Sequence, residues 1–142
     1  MDRVAAEQAG PFLFLAEGLL MYLPPDGVKA LILGLESRFP GSELVCDAAA
    51  SFWLKPPLKW INRAKARYYH FPGLDVQSGI RDSREFETWS PGLRRLEEWN
   101  ILDEDDPRLG VWRRLRNWKL IRHYYGGGWT MRYRLGPKDA PK

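Results

Sequence analysis

The chain has 142 residues, which is about the length of one domain. Its formal net charge of +4 suits an anionic partner, but charge alone does not identify a specific function. Its one cysteine, Cys46, excludes a disulfide framework and a multi-cysteine metal site; we expect no metal site, and cysteine usage predicts a cytoplasmic protein. No apolar run reaches the roughly 18 residues of a membrane span, and the first residues do not have the pattern of a secretory signal.

A strand, a helix and a second strand are predicted in residues 12–49. The apolar run FLFLA, residues 12–16, favours a buried strand that is covered on both faces. Two prolines and Asp26 then start a helix, which Pro40 and Gly41 end. The run ELVCDAA, residues 43–49, is the second strand, so the segment is a right-handed parallel βαβ unit. Five apolar residues at helical spacing define the buried helix face: Val28, Leu31, Ile32, Leu35 and Phe39.

Two carboxylates follow the two strands of this unit. Glu17 directly follows the first strand, just as Asp47 follows the second. In an open parallel sheet, ligands bind outside the carboxyl ends of the strands, so both acids should reach one rim. Such a rim suits a cationic group rather than a phosphate, because no basic residue or glycine-rich turn accompanies it. The alternative is that each acid caps a helix or meets water.

Residues 51–71 mix aromatic and basic side chains around a double proline. The favoured interpretation is a helix that packs its aromatic rings onto the sheet while its cations face water. The alternative is that the rings shape a ligand pocket. His70 is the nearby candidate for a general base, although a lone histidine is more often structural. The rings in question are Trp53, Trp60, Tyr68 and Tyr69.

Four further elements are predicted along the rest of the chain: a helix near residues 82–89, a strand near 93–100, a basic helix within 107–123 and a closing strand at 129–135. Residues 107–123 contain six lysines and arginines, no acid and two tryptophans, a composition typical of nucleic-acid binding. Against that function, the apolar residues of the segment lie near one helix face, so its cations are better explained as a solvated face.

Three stretches of the sequence resemble one enzyme family. They are FLAEGLLMYLPPDGVKALILGLESRFPGSELVCDAAA, SGIRDSREFETWSPGLRRLEEWNILDEDDPRLG and the final WTMRYRLG. All three resemble the leucine carboxyl methyltransferase family, in its bacterial branch of polyketide O-methyltransferases. The Glu-Gly followed by Met-Tyr-Leu is fairly specific to that family, and the resemblance covers about residues 11–136.

The resemblance implies a fold, a cofactor and site residues. The fold is the C-terminal half of a Rossmann-like class I methyltransferase sheet, an α/β fold with a parallel βαβ unit and an antiparallel closing strand. The reaction is methyl transfer from S-adenosylmethionine to an oxygen of a small-molecule carboxyl or hydroxyl acceptor. Carried over by position, Glu17 faces the methionine end of the cofactor and Tyr22 lies near the transferred methyl group. Asp47 and Trp53 fall on the acceptor side.

The front of the family's domain has no counterpart in this sequence. Family members carry a glycine-rich turn after their first strand and an acidic ribose-binding residue after their second. The one glycine cluster here, residues 126–128, is predicted to be a turn before the closing strand. We therefore expect residues 1–142 to form a single partial methyltransferase domain, a truncated or incomplete form that binds the cofactor weakly or not at all. The edge of residues 12–16 should then self-associate.

Overall fold

The computed structural model describes residues 10–68, 75–100 and 128–136. Four strands lie in these ranges, named here β1 (Leu13–Ala16), β2 (Ser42–Ala49), β3 (Leu93–Trp99) and β4 (Gly128–Leu135). Two α-helices accompany them, α1 (Pro25–Arg38) and α2 (Leu58–Tyr68). Short 3₁₀ turns occur at Leu20–Tyr22, Ser51–Leu54 and Glu85–Thr88.

The strands form one mixed sheet in the order β1-β2-β4-β3. Strands β1 and β2 are parallel, whereas β4 lies between β2 and β3 and runs antiparallel to both. Strands β2 and β3 therefore point the same way. This arrangement confirms the predicted α/β fold, with its parallel βαβ unit and its antiparallel closing strand, and it is compatible with part of a Rossmann-like methyltransferase sheet.

Helix α1 forms where the apolar spacing predicted it. Pro25 occupies its first turn, where a missing N–H costs nothing, and Asp26 places a carboxylate at the positive end of the helix dipole. The predicted apolar face turns inward, and Phe39 just beyond the helix packs edge-on against Phe12, with ring centroids 5.3 Å apart. The buried members of that face are Val28, Ile32, Leu35 and Phe39, while Leu31 is half-buried.

The core lies between α1 and one face of the sheet. Side chains alternate between the two faces along each strand, and those that point toward α1 include the fully buried Leu44, Met131 and Tyr133. The other face carries an ion pair between Arg132 and Glu43, with Nε and Oε2 2.7 Å apart. The sheet in this part of the chain is therefore apolar on one side and largely polar on the other.

The prediction that residues 12–16 are covered on both faces is wrong. Phe14 and Ala16 point into the core, but Leu13 is 59% exposed and Leu15 is 73% exposed. The reason is positional: β1 is the outermost strand on its side of the described sheet, and α1 packs on one face only. Periodicity did not reveal this, because both faces of the strand carry apolar side chains.

The helix predicted near residues 82–89 is only a 3₁₀ turn, Glu85–Thr88. Local side-chain hydrogen bonds replace helical ones here: Arg84 N–H donates to Asp82 Oδ1 at 2.7 Å, and Arg81 N–H donates to Glu85 Oε2 at 2.8 Å. Short polar side chains that bond nearby backbone groups compete with helix formation. The segment therefore folds as a sequence of turns.

Of the segment 51–71, the structure describes residues 51–68, which form a 3₁₀ turn followed by α2. Trp60 is 67% exposed and Tyr68 is 78% exposed, so the interpretation that the helix packs these two rings onto the sheet is wrong. Tyr69, His70 and the basic segment 107–123 lie outside the described residues.

The strand near residues 93–100 and the closing strand are confirmed as β3 and β4. Among the described residues, no helix combines the length and apolarity needed to cross a bilayer.

Candidate functional site

A tight turn follows β1 at the rim of the sheet. Gly18 has a φ of +60°, a conformation that favours glycine, and its N–H donates a hydrogen bond of 2.8 Å to Asp47 Oδ1. The side chain of Glu17, just before it, is exposed to solvent. The turn is thus fastened to β2 by one carboxylate while the other faces water.

The strand register places the two acids side by side. Ala16 of β1 is paired with Cys46 of β2, so Glu17 and Asp47 each follow a paired residue at the same edge. The two acids therefore lie at the same end of the β1–β2 pair, as expected, while their role in a binding site stays a prediction. One detail differs, because Asp47 lies within β2, opposite Thr130 of β4, rather than after the strand.

Asp47 and its neighbours in β2 point to opposite faces of the sheet. Cys46 and Ala48 are buried in the core, so the half-buried Asp47 side chain projects toward the polar face. Burial is the main cause that raises the pKa of the Cys46 thiol to about 12, and the negative charge of Asp47 adds to it. Cys46 is therefore a neutral core side chain and not a nucleophile.

Tyr22 and Trp53, the two aromatic residues assigned to the site from the sequence, lie in different 3₁₀ turns. Tyr22 is half-buried at the end of its turn, and its carbonyl oxygen accepts a 2.9 Å hydrogen bond from Gln77 Nε2. Trp53 is half-buried, and its Nε1–H is a buried donor without a partner in the described part of the chain. An acceptor atom of a ligand would satisfy that donor.

A mainly apolar pocket lies beside the rim, on the α1 face of the sheet. It holds about 50 Å³ of space, enough for a few atoms of a ligand. Glu17, Asp47, Tyr22 and Trp53 do not line it. Two of its lining residues are their sequence neighbours: Met21 precedes Tyr22, and Ala48 follows Asp47. Its walls come from the turn after β1, the start of α1, the end of β2 and the segment before β3: Leu20, Met21, Pro25, Val28, Ala48, Ala49, Ser78, Gly79, Ile80, Glu85, Phe86 and Trp89.

The segment that closes this pocket was not identified from the sequence. Ile80 pairs with Ala50 in an isolated parallel bridge, and Ser78 Oγ–H donates to the Leu20 carbonyl at 2.6 Å. At Gly79, a Cβ atom would lie 2.9 Å from the Ala49 carbonyl oxygen, so only glycine fits. The small residues at 48–50 and 78–79 were the available signal, but they have no periodicity that relates the two stretches.

The chemistry offered by this part of the molecule is binding and positioning. An exposed carboxylate beside an apolar pocket favours a ligand with a cationic group next to an apolar one. Among residues 10–68, 75–100 and 128–136, no group of three or more histidine, cysteine or acidic side chains is arranged to hold a metal ion. The same ranges contain no histidine to serve as a general base at the pocket.

Comparison with known proteins identifies a fold and no closer relationship. No family model matches the chain, and no curated protein does. Among solved structures, a DUF574 family protein from Streptomyces avermitilis MA-4680 is similar, with a TM-score of 0.53 and 13% sequence identity. The match covers 90% of this chain and 45% of that chain. The likeness therefore concerns the fold alone, over less than half of the neighbour's length.

Proposed function

We propose that this chain forms one side of an S-adenosylmethionine-dependent O-methyltransferase that modifies a carboxyl or hydroxyl oxygen. The observation that carries the proposal is the rim at the carboxyl ends of β1 and β2. There the Glu17 carboxylate is exposed next to a turn that Asp47 fastens, and a mainly apolar pocket adjoins it. When bound, the cofactor supplies a methyl group on a positively charged sulfur.

The arrangement of the sheet supports this assignment. The resemblance implies a methyltransferase sheet that ends with an antiparallel closing strand. Strand β4 is such a strand, since it is the last strand of the described chain and runs antiparallel to both β2 and β3. Ligands of such open sheets bind outside the carboxyl ends of the parallel strands, which is where the rim lies.

Each residue of the proposed site has a physical role. Glu17 attracts the cationic sulfonium and ammonium groups of the cofactor from the rim. Asp47 holds the turn that carries Glu17, through its bond to the Gly18 amide. Trp53 offers its unpartnered Nε1–H to the acceptor molecule. By the resemblance, Tyr22 lies near the transferred methyl group. These residues contribute by placing the acceptor oxygen in line with the methyl carbon, and that positioning is a large source of rate in such reactions.

The described residues account for one rim of a cofactor site. They contain a carboxylate that suits the cationic end of the cofactor, but no glycine-rich turn that follows a strand and opens a helix. We therefore propose that the chain by itself binds S-adenosylmethionine with a dissociation constant on the order of 1 mM, about −4 kcal/mol. A second segment that supplies the ribose contacts would make the binding of the cofactor tighter.

Two-dimensional ¹H–¹⁵N NMR of the chain titrated with S-adenosylmethionine tests the proposal. We expect saturable shifts of the amide signals of Glu17, Gly18 and their neighbours at millimolar cofactor. S-adenosylhomocysteine, which lacks the sulfonium charge, should bind more weakly. The proposal fails if no amide at the rim responds or if the responding amides cluster elsewhere.

A matched pair of variants isolates the role of Glu17. Glu17→Gln should weaken binding about twofold to fivefold, the effect of one exposed charge pair. Glu97→Gln is the control, because Glu97 is an exposed acid on β3, and both β2 and β4 lie between that strand and β1. Its contact with Arg132 is a long one of 3.5 Å, so its removal should disturb the fold little. Equal weakening by both variants would contradict a specific role for Glu17.

A further inference from the structure

The outer edge of β1 carries an exposed apolar surface. Leu13, Leu15 and Leu19 are 59%, 73% and 43% exposed, and the first two lie on the same face of the strand. Among the described residues, no strand pairs with this edge. Natural sheets protect such edges with charge or proline inside the strand, and LFLA contains neither.

The backbone groups of β1 divide between its two edges. The Phe12 carbonyl accepts a 2.8 Å hydrogen bond from Glu43 N–H of β2, so the backbone of Phe12 faces inward. Because direction alternates along a strand, Phe14 and Ala16 also face β2, whereas the N–H and C=O groups of Leu13 and Leu15 point outward. The outer edge thus presents two donors and two acceptors at alternate residues.

We propose that two copies of this chain associate by antiparallel pairing of β1, about a twofold axis at Phe14. In this register, Leu13 of one copy lies opposite Leu15 of the other. Both residues have outward backbone groups, so each such pair exchanges two hydrogen bonds, as antiparallel hydrogen-bonded pairs do. The same register sets leucine against leucine on one face and Phe14 against Phe14 on the other.

A second copy fits this edge because the edge is self-complementary. Strand β1 has no charged residue, so the symmetric pairing brings no like charges together. Val45 of β2 lies beside Leu15 on the same face and extends the apolar strip. A four-residue strand buries less surface than a standard interface, so we expect a weak dimer, with a dissociation constant on the order of 10–100 μM. The inference does not depend on the proposed function.

Sedimentation velocity over a concentration series tests the association. We expect a monomer–dimer equilibrium for the wild type and a monomer for Leu13→Lys, which puts a charge into the pairing. Trp60→Lys is the matched control, since Trp60 is 67% exposed but lies on α2, and it should leave the equilibrium unchanged. Circular dichroism verifies that each variant is folded. A wild type that stays monomeric from about 1 to 300 μM, a species larger than a dimer, or dissociation caused by Trp60→Lys would overturn the proposal.

Disulfide trapping tests the register. Leu13→Cys mixed with Leu15→Cys should give a cross-linked dimer under mild oxidation, because a hydrogen-bonded antiparallel pair places its Cα atoms about 5.5 Å apart, within disulfide range. Each variant alone should cross-link poorly. Cys46 is 1% exposed and does not interfere. Efficient cross-linking of Leu13→Cys to itself, or none in the mixture, would exclude the antiparallel register about Phe14.

Discussion

At the scale of single residues, Asp47 connects the two strands of the rim. Asp47→Ala leaves the Gly18 N–H without its acceptor and should lower the free energy of unfolding by about 0.5–1.5 kcal/mol, whereas Asp47→Asn keeps an acceptor oxygen and should cost less. Thr130→Ala is the control, because Thr130 is the exposed cross-strand neighbour of Asp47. Urea unfolding measures all three. If Asp47→Ala is as stable as Thr130→Ala, the hydrogen bond does not stabilise the turn.

The same residues show what could be predicted at this scale. The placement of Glu17 and Asp47 at the same end of two parallel strands was predicted from the sequence, although Asp47 proved to lie within β2. The bond between Asp47 and Gly18 did not, because it depends on the left-handed turn at Gly18. That Trp53 does not line the apolar pocket was not foreseeable either, since a ring's direction depends on packing that its sequence neighbours do not define.

At the scale of elements, two glycines have opposite requirements. At Gly79 a Cβ atom would lie 2.9 Å from the Ala49 carbonyl oxygen, so Gly79→Ala should destabilise by about 1–3 kcal/mol by forcing two backbones apart. In α1, Gly34 has nothing within 4 Å of such an atom, and Gly34→Ala should stabilise by about 0.5–1 kcal/mol through helix propensity. Thermal unfolding measures the stability of both variants. A change of the same sign in both would contradict the close packing of Gly79 against the Ala49 carbonyl.

Helix α1 and the turns at residues 82–89 show why elements differ in predictability. In α1 the spacing of apolar residues, the proline at the start and the stop at residues 40–41 all agree, so local signals and packing select the same structure. In residues 82–89 the side chains of Asp82 and Glu85 bind the backbone locally. The buried Phe86 then packs against Tyr133 of β4, with ring centroids 5.3 Å apart, a contact far along the chain.

At the scale of the whole molecule, the core should lose stability at alkaline pH. Folding raises the pKa of Cys46 from 9.0 to about 12, and burial also raises the pKa of Tyr133. Between pH 9 and 12 the unfolded chain releases the Cys46 proton while the folded chain keeps it. The contribution of Cys46 to stability is therefore fully present below pH 9. Above pH 9, the free energy of unfolding should fall by about 1.4 kcal/mol per pH unit for Cys46 alone.

Urea unfolding at several pH values measures this fall, and Cys46→Ala provides the comparison. The variant should be less stable at neutral pH, because it loses buried volume, but its stability should decline less steeply above pH 9. Above pH 10, the ordinary pKa of tyrosine, the raised pKa of Tyr133 should lower the free energy of unfolding in both proteins. Identical slopes for wild type and variant would show that Cys46 does not titrate with unfolding.

The sequence by itself determined the βαβ unit, the buried face of α1, the positions of β3 and β4, and the shared rim of Glu17 and Asp47. Those features follow from periodicity, from prolines and glycines at element ends, and from the geometry of parallel strands, all of which act over short stretches of chain. The tertiary structure alone decided the exposure of Leu13 and Leu15, the closing of the pocket by residues 78–80, and the turns that replaced a predicted helix. These depend on which distant segments meet, and a one-dimensional pattern of polarity does not encode the neighbours on each face of a strand.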